Sequence, residues 1–197
     1  MDIKTLEKEF KEKVEELYPE WLGGRQPSKN TGETGKKFED YFLKFIKEHN
    51  LIPFTYKIWQ RIRIGDSKKI FDFVISNIDY VPNSKNSDDI LAVIEVRLYA
   101  TYGYDNSVTY YLGRRDTIKK QNPKIHFFHV DYTNELGYHK KVMKKFKERG
   151  INSIDLKDYY LFNIYENDGH KFSYEVHKLN STGDFERFIN NLTKILK

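Results

Sequence analysis

The chain has no cysteine among its 197 residues, which excludes disulfides and thiolate metal sites and fits a cytoplasmic location. It has no apolar run long enough to span a bilayer, and it is charged from Asp2 onward, so neither a membrane anchor nor a signal peptide is expected. The six histidines (49, 126, 129, 139, 170 and 177) show no HxxxH or HExxH spacing, which argues against a zinc site. There is no internal repeat and no linker long enough to split the chain. The hydrophobic share is low at 39%, but aromatic residues reach 16%, so the core is expected to be built from Phe, Tyr and Ile. The net charge of +5 is compatible with a polyanionic partner.

Periodicity lays out the elements. A first helix over 2–18 carries Leu6, Phe10, Val14 and Leu17 at helical spacing and ends at Tyr18-Pro19. A polar loop from Trp21 to Gly35 leads to a second helix, from about Thr34 to His49, with Phe38, Tyr41, Phe42, Phe45 and Ile46 on one stripe. Ile52 to Ile64 reads as a strand, with Phe54, Tyr56, Ile58, Gln60, Ile62 and Ile64 in period two. Gly65-Asp66-Ser67 turns it into a second strand. A helix over Ser107–Gln121, a buried strand over Lys124–Val130 and a basic helix over Leu136–Arg149 follow. The chain then has a hairpin of Tyr159–Tyr165 with Lys171–Lys178 around Asn167-Asp168-Gly169, and a last helix over Asp184–Leu196. The expected fold is one α/β domain: a central sheet flanked by helices.

Two strands carry the chemistry. Ile90 to Tyr99 reads as buried, yet it holds Glu95 and Arg97. Alternation puts Val93, Glu95, Arg97 and Tyr99 on one face and Ile94, Val96 and Leu98 on the other. Lys68 to Ser76 places Asp72, with Ile70 and Val74, opposite Phe71, Phe73 and Ile75. Buried charges are costly unless paired or bound to a metal, and a Glu–Arg pair alone would be a bland explanation. Two neighbouring strands that each place one acid in mid-strand converge two hard oxygen ligands, which suits Mg²⁺. Glu39, at the margin of the second helix's apolar stripe, is positioned to reach over the sheet edge toward them.

These residues resemble the PD-(D/E)xK nuclease superfamily, which includes restriction endonucleases and Holliday-junction resolvases. Gly35-Lys-Lys-Phe-Glu39 is similar to the start of the family's first core helix. Phe71-Asp72-Phe73 is similar to the acid on its second strand, and Ile94-Glu95-Val96-Arg97 to its Glu-x-Lys. The likeness covers about residues 31–131 in α-β-β-β-α-β order. It implies a restriction-endonuclease-like core with a mixed sheet, preceded by a helix and loop (1–30) and followed by a helix, hairpin and helix (132–197). No proline precedes Asp72, and Arg97 stands where the family has lysine. Arginine stays protonated and cannot act as a base, though it can stabilise developing negative charge. Lys57 and Lys37 are candidates to replace the lysine.

The resemblance implies a Mg²⁺-dependent endodeoxyribonuclease, with Mn²⁺ as a substitute ion. Asp72, Glu95 and the Val96 carbonyl would hold the metal, Glu39 would assist, and Arg97 would contact the scissile phosphate. Tyr99, Tyr102 and Tyr104, with Arg114, Arg115, Lys119 and Lys120, would contact double-stranded DNA, giving salt-dependent binding. A type II restriction enzyme cutting a palindrome as a homodimer is the leading expectation. A junction-resolvase-like or repair nuclease is the nearest alternative, and a catalytically inactive nucleic-acid-binding protein is the alternative from another class. The lysines at 140–147 are expected to be only a solvated face.

Overall fold

The computed structural model of the chain describes residues 2–17, 31–98, 104–132, 138–152, 156–167 and 177–197. The fold is α/β. A five-stranded mixed sheet runs in the order β1 (Tyr56–Arg63), β2 (Ile70–Asn77), β3 (Ile90–Leu98), β4 (His126–Tyr132) and β5 (Tyr159–Leu161). The pairs β1–β2 and β2–β3 are antiparallel, whereas β3–β4 and β4–β5 are parallel. The described helices are α1 (Ile3–Leu17), α2 (Thr31–Glu48), α3 (Tyr104–Gln121), α4 (Tyr138–Glu148) and α5 (Asp184–Ile195). A separate pair of strands, β6 (Asn163–Asn167) and β7 (His177–Ser181), precedes α5. Among the described residues, no helix is long and apolar enough to cross a membrane.

Both faces of the sheet are buried. On one, the stripes of α1, α2 and α5 close over Phe73, Ile75, Ile94, Val96, Phe128 and Val130. The spacing of Leu6, Phe10 and Val14 puts one side of α1 on this core. Phe10 lies at its centre, edge-on to Phe38, Phe42, Phe45 and Phe162. The inner faces of the first and last helices are thus committed to the core. On the other side, α3 and α4 pack Val108, Tyr111, Ile118, Val142 and Phe146 against Val74, Val93, Phe127 and Tyr159.

Several sequence expectations are corrected. The first strand starts at Tyr56, and Phe54 is 93% exposed instead of lining the core. Helix α2 begins at Thr31, inside the expected loop, and α3 begins at Tyr104. Tyr159–Tyr165 is two strands: Tyr159–Leu161 joins the main sheet beside β4, and only Asn163–Asn167 pairs with His177–Ser181. The Asn167-Asp168-Gly169 turn falls on residues outside the described set.

The most consequential correction concerns the period of β1 and β2. Arg61 adopts a left-handed backbone (φ 59°), a conformation uncommon for a residue with a side chain. The ladder pairs Gln60 with Phe73 and Ile62 with Phe71 but skips the rung between them, where Arg61 and Asp72 stand opposite. Alternation reverses across that gap on both strands. Ile58, Phe73 and Ile75 join the core under α2, while Ile62, Ile64 and Phe71 join the core under α3. An uninterrupted period of two would have put Ile58 with Ile62, and Phe71 with Phe73. The kink carries the end of the β1–β2 hairpin onto α3. There Lys69 Nζ donates to the Gly113 carbonyl (2.7 Å) and to Thr117 Oγ1 (2.9 Å). The Asp66 amide donates to Gln121 Oε1 (3.1 Å).

Candidate active site

Asp72 sits in the gap left by the skipped rung, and Glu95 lies across from it on β3. The register of β2 and β3 reaches the pair Phe73–Ile94 and goes no further in this direction. Beyond it the two acids replace the backbone ladder. The Asp72 amide donates to Glu95 Oε1 (3.1 Å), and the Val96 amide donates to Asp72 Oδ2 (3.0 Å). Each carboxylate therefore satisfies a backbone donor on the other's strand, which holds both side chains between β2 and β3. Asp72 is 8% exposed and Glu95 is fully buried.

Glu95 is surrounded by donors. Tyr110 Oη donates to its Oε2 (2.5 Å), Arg114 Nε lies 3.4 Å away and Arg97 Nη2 3.8 Å away. The two guanidinium groups also lie over the Tyr110 ring, Arg97 at 3.8 Å and Arg114 at 4.8 Å from its centroid. Arg114 is fixed further by donating to the Ile70 carbonyl (2.6 Å). Burial, then the nearby Asp72 charge, push the Glu95 carboxyl above the usual carboxylate range, and Arg114 and Arg97 oppose the rise.

Glu39 arrives from α2. Its Oε2 is buried and accepts no hydrogen bond, and Arg61 Nη1 stands 3.5 Å from it. Burial, then the charge of Asp72, raise its pKa from 4.5 to about 7, against the opposing effects of Arg61 and Arg97. The charge of Asp72, on β2, thus acts on both Glu39 of α2 and Glu95 of β3. The cations against them are arginines. Lys57 lies over the Trp59 ring and Lys37 is exposed on α2, so neither is brought to the acids.

The donor set fits a hard cation in part. Glu39 offers a buried oxygen without a hydrogen-bond donor, and its carboxyl feels the charge of Asp72; hard oxygens of this kind suit Mg²⁺. Glu95 is instead turned to Tyr110 and Arg114. Among the described residues, no group of three or more His, Asp or Glu side chains is disposed to hold a metal ion.

The expected DNA contacts divide. Arg114 belongs to the acid cluster. Arg115 Nη1 donates to Tyr111 Oη (3.2 Å), and Lys119 Nζ donates to the carbonyls of Pro123 (3.1 Å) and Ile125 (2.7 Å), so both are engaged within the chain. Lys120 is exposed. Tyr104 opens α3, while Tyr99 and Tyr102 lie outside the described residues.

Sequence reasoning missed a second polar group on the same face. In the parallel register, Glu95 pairs with His129 and Arg97 with Asp131, and both partners are buried. His129 Nε2 lies 3.0 Å from Asp131 Oδ1, and Tyr159 Oη donates to Asp131 Oδ2. A carboxylate can only accept, so Nε2 carries the proton, and Nδ1 is left buried with no hydrogen-bond partner. The ring stacks on Tyr159 at 5.5 Å with 12° between planes. The available signals were spacings: Tyr110 and Arg114 at i, i+4 on one helix, His129 and Asp131 at i, i+2 on one strand. Both read equally well as ordinary surface or core positions. No family model, curated protein or solved structure matches the chain.

Proposed function

We propose that the chain is a Mg²⁺-dependent DNA endonuclease with a restriction-endonuclease-like core. The observation that carries this reading is the interlocked pair Asp72 and Glu95 at a break in the sheet, with the buried, unbonded Glu39 Oε2 near enough to feel the Asp72 charge. Two strands do not need a buried acid each for stability, since apolar residues would fill the space at lower cost. Asp72 and Glu39 would hold the cation, together with Glu95 and the Val96 carbonyl. When bound, Mg²⁺ lowers the pKa of a ligated water and shields the scissile phosphate. Arg97, 36% exposed, keeps a permanent positive charge at the mouth of the site and would stabilise charge developing on that phosphate. Tyr110 holds Arg97 and Arg114 in stacked positions and so orients the charge. A type II restriction enzyme acting as a homodimer on double-stranded DNA is the form favoured here, and a junction-selective nuclease on the same core is its neighbour. Incubation with plasmid DNA and Mg²⁺ should give cleavage that Asp72→Ala and Glu95→Ala abolish. Discrete bands mean sequence specificity, and cutting of branched substrates alone means a junction nuclease. Either variant cutting at the wild-type rate would refute the reading.

A second reading rests on the arginines. With Arg97 and Arg114 against Glu95, the acid is already neutralised by the protein, as in a nucleic-acid-binding domain that has lost its chemistry. Calorimetric titration with Mg²⁺ and Mn²⁺ separates the two: binding that disappears in Asp72→Ala supports the nuclease, and its absence in the wild type supports the inert domain.

A further inference from the structure

The cations first expected to meet DNA are mostly committed inside the chain, yet a different set is exposed. From the kink onward the chain buries Ile62 and Ile64 and turns Arg61 and Arg63 outward. Residues two apart on a strand stand roughly 7 Å from one another. That is near the separation of neighbouring phosphates along one nucleic-acid strand. These two arginines, with Lys68 from the hairpin turn and Lys85 from the loop after β2, line an open groove of about 540 Å³.

Four cations face one carboxylate there, Asp66, which lies 3.7 Å from Lys85. Among the described residues, neither Arg63 nor Lys68 has an acidic partner. Neutral donors are present too. Ser67 Oγ accepts from the Lys69 amide (3.1 Å), leaving its O–H free, and Asn83 Oδ1 accepts from the Arg63 amide (2.9 Å), leaving its NH₂. The groove is anchored by the bonds of Lys69 and Asp66 to α3. Gly65 (φ 56°) lets the turn press so closely on Gln121 that a β-carbon would meet its Oε1 at 2.1 Å. The inner end of the groove reaches the acid cluster directly. Arg61 is the cation beside Glu39, and Ile70 presents its carbonyl to Arg114.

We propose that this groove grips the phosphodiester backbone of duplex DNA, with Arg63 and Lys68 as principal contacts, and feeds it toward Asp72. The proposal rests on the reading of DNA as the substrate. The cations are exposed, and the bonds that anchor the groove to α3 come from Lys69 and the Asp66 amide and not from Arg63 or Lys68, so charge removal at those two should spare the fold.

The test is binding of a fluorescent DNA duplex to the full chain by anisotropy, across a salt series with EDTA present, with plasmid cleavage in Mg²⁺ run in parallel. Arg63→Ala with Lys68→Ala should weaken binding and reduce the slope of log affinity against log salt by about 1.8, at ~0.9 for each phosphate no longer neutralised. Arg63→Glu with Lys68→Glu should remove binding. Lys140→Ala with Lys144→Ala, on the outer face of α4, should change neither. Circular dichroism melts matching the wild type verify the fold of each variant. Wild-type affinity and slope in both groove variants would overturn the groove, as would a wild type that binds no duplex. A chain that binds through the groove yet leaves plasmid uncut would overturn the nuclease reading alone. Cleavage by the wild type with unimpaired groove variants would overturn the groove alone.

Discussion

On the face covered by α1, α2 and α5, β3 contributes Ala92, Ile94, Val96 and Leu98; on the face covered by α3 and α4, the same strand contributes Val93, Glu95 and Arg97. The neighbouring strand repeats the contrast, with Phe128 and Val130 on the first face and His129 and Asp131 on the second. The first face is a dry aromatic core that needs only shape and volume. The second holds charge at a place where each charge requires a specific partner, and it finds those partners on α3 and β5. Helix α3 accordingly lacks a clean apolar stripe. Its inward residues mix Val108, Tyr111 and Ile118 with Tyr110 and Arg114, because the strand beneath them is itself part polar. One side supplies stability, and the other accepts a cost in stability to hold buried charged groups in place.

Breaking each side separately should show this. Phe10→Ala should cost about 3–5 kcal/mol, as expected for a large ring removed from a packed centre, while the activity per folded molecule stays unchanged; urea melts and plasmid cleavage check both halves. Glu95→Ala should cost a similar ~3 kcal/mol or more, because Arg97 and Arg114 lose their counter-charge, and it should also end cleavage. Adding Arg114→Met to Glu95→Ala should recover much of that stability but none of the activity. Recovery would show that the acid is kept for chemistry; its absence would point to a structural ion pair.

Glu39 gives a smaller effect with a defined sign. Its pKa is about 7 in the folded chain against 4.5 unfolded. Between those values the folded chain holds a proton that the unfolded chain has released, so stability falls as pH rises through that window. Glu39→Gln should flatten this dependence and gain on the order of 1 kcal/mol above the upper value, a figure reduced because the carboxyl keeps some contact with water. Melting temperature against pH, with and without Mg²⁺, is the measurement. The smallest effect belongs to α4: Lys140→Ala should stay within about 0.5 kcal/mol of the wild type, since its side chain is exposed.

Much of the layout was legible in the residues. Leu6, Phe10 and Val14, or Phe185, Phe188, Ile189 and Leu192, repeat at a period that only a helix can turn to one side. The alternation of β3 separated Glu95 from Val96 correctly for the same reason. The acids Glu39, Asp72 and Glu95 were also legible, because an acid inside or beside an apolar run stands out against its neighbours. What did not show was anything that depends on who lies opposite. Arg61 reads as an ordinary alternating strand residue, and its left-handed backbone appears only once the rung with Asp72 is seen to be skipped. His129 and Asp131 pass for strand filler until β4 is set beside β3 and their ring and carboxylate fall next to Glu95 and Arg97.

By itself, the order of residues determined most of the elements and the α/β class of fold, and it singled out three acids, since periodicity and composition are properties of neighbours along the chain. The tertiary structure alone decided that Asp72 and Glu95 bond across a gap in the sheet and that Arg114 serves the site instead of the surface. It also decided that exposed cations gather beside the hairpin. Those outcomes depend on which strands pair and where the pairing fails, and hydrogen-bond register links residues that are remote along the chain.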